Sequence, residues 1–128
     1  MTGSGDAPAT ERAPVDVTVI EQLASITDGQ GLSVLGELLN AFLDAVPARL
    51  DALDRAASTG DLVGVADQAH ALTGSAASFG ARGMADLCRE IRTAAKEGDG
   101  KETVALIGSL QGEFARVRSW LIALRSRP

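Results

Sequence analysis

Apolar residues along this chain recur in steps of three and four, broken by short polar runs rich in Gly, Asp and Ser. That spacing marks helices that each bury one face. Val19, Ile20, Leu23 and Ile26 predict a short helix over Val17 to Ile26, with Asp16 as its cap and Asp28-Gly29 as its end. Leu35, Leu39, Phe42, Val46, Leu50 and Leu53 predict a long helix from Gly31 to Ser58. Pro47 falls inside it; a proline removes one backbone donor and crowds the preceding turn, so a kink just before Ala48 is expected rather than two helices. Ser58-Thr59-Gly60-Asp61 reads as a turn whose Asp61 caps the next helix. The inner seam of that helix is Leu62, Val65, Ala69, Leu72, Ala76 and Phe79, and Gly80 closes it in the left-handed conformation.

From Arg82 the pattern restarts with Met84, Leu87, Cys88, Ile91 and Ala95 inward, and it stops at Gly98-Asp99-Gly100. The last helix turns Val104, Ile107, Leu110, Phe114, Val117, Leu121 and Leu124 inward and Arg116, Arg118 and Arg125 outward. The chain has no internal repeat. Short turns between long amphipathic helices make sequential neighbours antiparallel. The expected fold is therefore all-α: an antiparallel up-and-down four-helix bundle over residues 15–128, with the short N-terminal helix across one end. Residues 1–14 are mostly Gly, Ala, Thr, Ser and Pro without apolar period, and are expected to be a disordered leader.

Composition agrees with helices: 45% of residues are hydrophobic, only 3% are aromatic and Tyr is absent, so strand formers are scarce. A chain of 128 residues carries one sizeable core and not two. The net charge of −5 disfavours nucleic acid, which needs clustered Lys and Arg, and disfavours anionic membranes. No apolar run reaches the roughly 20 residues of a membrane span, and the N-terminus lacks the basic and apolar parts of a signal peptide. A soluble protein of the cytoplasm is the expectation. The single cysteine, Cys88, has no partner for a disulfide or a thiolate metal cluster.

Chemistry concentrates in the stretch AHALTGSAASFGA, Ala69 to Ala81, which holds the only histidine. Advancing 100° per residue puts His70 roughly 130° from the middle of its helix's apolar seam, so the imidazole faces outward. Gly74 lies about 40° away and one turn along, with Asp67 and Ala77 on the same stripe. An outward histidine flanked by Gly and Ala is a nucleophile with open space above it. Glycine within a helix costs about 1 kcal/mol relative to alanine, and close approach of another protein surface is one reason to keep it. By themselves these residues also fit a solvated histidine and a glycine that lets two helices pack closely.

AHALTGSAASFGA followed by LCREI resembles the signature of histidine-containing phosphotransfer (HPt) domains, whose pattern runs Ala-His-x-Leu-Lys-Gly, small residues, Gly-Ala, then Leu-Cys-x-x-Leu-Glu. Ala69, His70, Leu72, Gly74, Ser75, Ala76, Gly80, Ala81, Leu87, Cys88 and Ile91 match it. The similarity extends through Phe42 to Asp61 and Lys96 to Leu124. Two positions depart: Thr73 stands where the family has Lys or Arg, and Arg92 where it favours Glu. The resemblance implies a phosphoryl carrier that accepts on His70 from a receiver-domain aspartyl phosphate or a sensor kinase and passes the group to another receiver. It implies docking around Ala66, Asp67, Thr73, Gly74 and Ala77. A fixed positive charge is missing at Thr73, and Arg82 or Arg89 on the next helix are candidates to replace it. The carrier would be a monomer with no cofactor, no metal and no turnover of its own, since Mg²⁺ comes with the receiver. No GxxxxGK[ST] motif is present to bind ATP.

Three other readings are weighed against it. Thr73 makes a bundle that binds or sequesters a receiver without taking phosphate conceivable. Cys88 as a thiol nucleophile conflicts with its place on an apolar seam, and Asp67 with His70 supplies at most two metal ligands.

Overall fold

The computed structural model describes residues 13–26 and 31–126, and these form five helices with no strand among them. They are α1 (Val17–Ile26), α2 (Gly31–Ser58), α3 (Leu62–Ser78), α4 (Arg82–Lys96) and α5 (Gly100–Arg125). Most of the expected leader, residues 1–12, lies outside the described residues, as do the helix end expected at Asp28-Gly29 and the side chain of Ile26. Val15, just past that leader, is buried in the core.

Each boundary has a local cause. The Asp16 carboxylate accepts from the Thr18 amide at 2.9 Å, and Asp61 accepts from Gly64 at 2.9 Å, so both act as the caps read from sequence. Asp99 does the same for α5, accepting from Glu102 at 3.0 Å. Gly60, Gly80 and Gly98 take φ of +77°, +70° and +76° at the three turns, where a side chain would be strained. α2 runs unbroken through Pro47, whose neighbours Val46 and Leu50 are both buried while the proline itself is exposed.

α2 packs against α3 and α5, and α4 packs against the same two helices, so the four long helices close a ring around one core. Leu39, Leu53, Leu72, Met84, Ile91, Leu110 and Leu121 fill its centre. At one level the Phe42 ring lies 4.9 Å from that of Phe79 and 6.3 Å from that of Phe114, joining α2 to the end of α3 and to α5. The start of α1 is fixed at the α3–α4 turn, where the Asp16 amide donates to the Gly80 carbonyl at 2.8 Å and the Asp16 carboxylate pairs with Arg82 at 2.8 Å.

The expected seams hold on α2 and α3, and on α4 they are joined by buried Ala85 and Ala94. One inward assignment is corrected: Val104 is 58% exposed and Thr103 is fully buried in its place. Counting back from Ile107 by four rather than three keeps the alternation of the seam and lands on Thr103. Its hydroxyl donates to the Asp99 carbonyl at 2.7 Å, so burying it leaves no polar group unpaired. Arg116 is also corrected from outward to half-buried, where it pairs with Glu113 at 2.7 Å, while Arg118 and Arg125 are exposed.

Candidate functional site

α3 owes its placement to its caps, with Asp61 at the start and Gly80 after the end, and to the buried seam of Val65, Ala69, Leu72 and Ala76. The seam fixes the rotation of the helix, and rotation decides what faces out. His70 is exposed, and so are Asp67, Gly74 and Ala77, which form one stripe along the helix. A Cβ built at Gly74 would meet nothing within 4 Å, so the glycine is not a packing concession within this chain. It leaves bare backbone one turn beyond the imidazole.

Val63, seven residues before His70, belongs to the same stripe and is 73% exposed. A seam defined by inward apolar positions passes over it. An apolar residue at the outward phase of a capped first turn was the available signal. Val63, Gly74 and Ala77 make the surface around His70 low in relief and largely apolar, with Asp67 as its charged member.

The remaining site candidates separate. Ala66 is only 7% exposed and belongs to the core, so its side chain is not open to a docking partner. Thr73 is half-buried and its hydroxyl donates to the Ala69 carbonyl at 2.9 Å, one turn back. Its only proton is committed to the helix, so Thr73 offers no donor to a group on His70. Ser75 and Ser78 likewise donate to the carbonyls of Ala71 and Gly74, at 3.3 and 2.9 Å.

On α4, Arg82 and Arg89 line a shallow depression with Val19, Ala77, Gly80, Ala85 and Asp86. The depression therefore joins the end of the His70 stripe to the facing edge of α4. Both cations already hold carboxylates, Arg82 that of Asp16 and Arg89 that of Asp86, each at 2.8 Å. Across the other flank of α3, Arg49 of α2 donates to Gln68 at 3.1 Å.

The candidate thiol is in a different environment. Cys88 is fully buried, and burial pushes its thiol up to about 12, against the smaller opposing pull of the Arg89 charge. It holds its proton at neutral pH and has no path to a substrate. Among the described residues no three His, Cys, Asp or Glu side chains group closely enough to hold a metal ion, and no helix is long and apolar enough to cross a membrane.

Residues 37–120 match the Hpt domain family. The phosphorelay protein LuxU of Vibrio vulnificus, in strains YJ016 and CMCP6 alike, is 36% identical over 104 residues, covering 78% of this chain and 90% of LuxU. Among solved structures, histidine-containing phosphotransfer protein B (HptB) from Pseudomonas aeruginosa PAO1 superimposes with a TM-score of 0.83 at 28% identity, over 96% of this chain and 99% of that one.

Proposed function

Because this chain belongs to the Hpt domain family and is a histidine phosphotransfer protein of a phosphorelay, we propose that His70 is its phosphoryl-accepting residue and the α3 stripe its docking face. The observation that carries this reading is the pairing of an exposed imidazole with the bare backbone at Gly74. A carrier must let a second protein bring an acyl phosphate up to a ring nitrogen, and side chains on that stripe would stand in the way.

In the forward step the lone pair of a neutral ring nitrogen attacks phosphorus in line. The N–P bond forms as the P–O bond to the receiver's aspartate breaks, and the bonding pair leaves on that carboxylate. The proton on the other ring nitrogen is neither needed nor consumed. Transfer to the next receiver reverses these events on a new carboxylate. Both acyl phosphate and phosphoramidate are high-energy bonds, so the step needs no ATP and no group from this chain beyond positioning and charge. Receiver domains and a sensor kinase are the partners, the chain works as a monomer, and the cytoplasm is where such partners meet it.

The ring of contacts among α2, α3, α4 and α5, with the short turns at Gly60, Gly80 and Gly98, supports an antiparallel up-and-down four-helix bundle. α1 lies across the end at which α3 turns into α4. Residues 15–128 then form one domain, preceded by the leader. In the alternative reading the bundle binds a receiver without taking phosphate, and Thr73 is the observation that favours it, because it supplies neither a charge nor a free proton.

Incubation with a panel of phosphorylated receiver domains separates the two. A carrier takes label from at least one receiver. A sequestering bundle forms a complex with a receiver and stays unlabelled.

A further inference from the structure

We propose that Arg92, on α4, is the cation that holds the phosphoryl group on His70, replacing the charge that Thr73 lacks. The inference rests on His70 being the phosphorylated residue.

Its basis is the register between two helices. Ala77 and Ala85 line the same depression, so the two helices face one another at that level. Seven residues is almost two whole turns, so it returns to the same stripe about 10 Å along. Seven residues before Ala77 is His70, and seven residues after Ala85 is Arg92. With α3 and α4 running in opposite directions, these two steps go the same way along the groove. His70 and Arg92 therefore stand at one level on its opposite banks.

Arg92 is half-buried, unlike its exposed neighbours Arg89 and Glu90, as expected of a side chain leaning toward the adjoining helix. Neighbouring packed helices have axes about 8–10 Å apart, within reach of an extended arginine. The cavity between α4 and α5 takes Gly83, Leu87 and Glu90, on the other side of α4, so the Arg92 flank is the one turned to α3.

The state of the three arginines also distinguishes them. Arg82 holds Asp16 and Arg89 holds Asp86, whereas Arg92 makes no hydrogen bond or ion pair among the described residues. The Arg92 guanidinium is therefore uncommitted, and a dianionic phosphoryl group at His70 would give it a partner with bidentate geometry. The two departures from the HPt pattern then form one exchange. The cation leaves position 73 on the histidine's own helix and appears at position 92 across the groove, where the pattern has an acid.

The test uses the full chain and phosphoramidate, a small phosphodonor that needs no docking. Loading and loss of the phosphoryl group are followed by intact mass at neutral pH in wild type, Arg92→Gln, Arg92→Lys, Arg82→Gln and Arg89→Gln, with circular dichroism as the fold control. Arg92→Gln is expected to slow loading or shorten the phosphoryl lifetime roughly five-fold, the size of one partly exposed charge-assisted contact. Arg82→Gln and Arg89→Gln should stay within about two-fold of wild type. Adding Thr73→Lys to Arg92→Gln should restore the loss. In wild type one arginine Nε–H resonance, the one absent from Arg92→Lys, should move downfield on phosphorylation; a merely structural arginine would not respond. If His70 is loaded normally in Arg92→Gln and that resonance stays in place, the inference about Arg92 is wrong and the phosphohistidine reading stands. A wild-type chain that takes no phosphoryl group overturns both.

Discussion

Gly74, with nothing within 4 Å of an added Cβ, and Cys88, fully buried, mark the two extremes among the residues that match the HPt pattern. Gly74→Arg adds a long side chain into open space, so the fold should gain up to about 1 kcal/mol from helix propensity. Transfer from a phosphorylated receiver should fall at least ten-fold, while loading by phosphoramidate stays near wild type; loss of both would mean that the substitution damages the histidine itself. Cys88 should stay unreactive toward a thiol reagent until the chain unfolds. Its protonated form is favoured in the folded state, up to about 12 against an ordinary 9.0. That contribution to stability is complete below pH 9 and lost as pH rises from 9 toward 12. Urea titrations at pH 8 and pH 10 should show a fall that is smaller in Cys88→Ala. At this scale the sequence was informative wherever helical phase alone decides exposure, as for His70, Gly74 and Leu72. It misled where two residues compete for one seam position, as Thr103 and Val104 do, because hydropathy favours the valine and geometry the threonine. Ala66 is a related case: it lies about 40° from His70 in phase yet is buried in the core, which depends on how the helices pack.

Helix ends were legible because their chemistry is local. Asp16, Asp61, Gly60 and Gly80 each act through contacts within a few residues, which a sequence states directly. What Gly80 does beyond its own turn was not legible. Its carbonyl receives the Asp16 amide, and a Cβ there would fall 2.9 Å from Val19 Cβ and 3.0 Å from Asp16 Cβ. A side chain at Gly80 thus meets left-handed strain and also pushes α1 off the α3–α4 turn. Gly80→Ala is expected to cost about 2 kcal/mol, read as a fall of several degrees in Tm. Gly98→Ala serves as the comparison, since it bears a similar φ with nothing within 4 Å and should cost less. Equal losses at the two sites would mean that the α1 contact adds nothing.

At the scale of the whole molecule, the arrangement places His70 on the outside of a packed ring. The core keeps α3 from rotating, and the rotation of α3 keeps the imidazole in solvent with a low, largely apolar surface around it. The all-helical fold could be read from periodicity and turn residues because every long helix has a continuous seam. The groove between α3 and α4 could not, since which flank of one helix meets which flank of the other depends on how all four pack. That is why Arg82 and Arg89 attracted attention in the sequence, while the register across the groove points to Arg92.

The most direct test of the central claim is to phosphorylate the full chain from a cognate receiver and map the phosphoryl group by mass spectrometry under non-acidic conditions. One phosphoryl group is expected, on His70, labile in acid and stable in alkali as a phosphoramidate is, and absent from His70→Gln. Label that survives in His70→Gln, or that resists acid as a phosphoester does, would contradict the account.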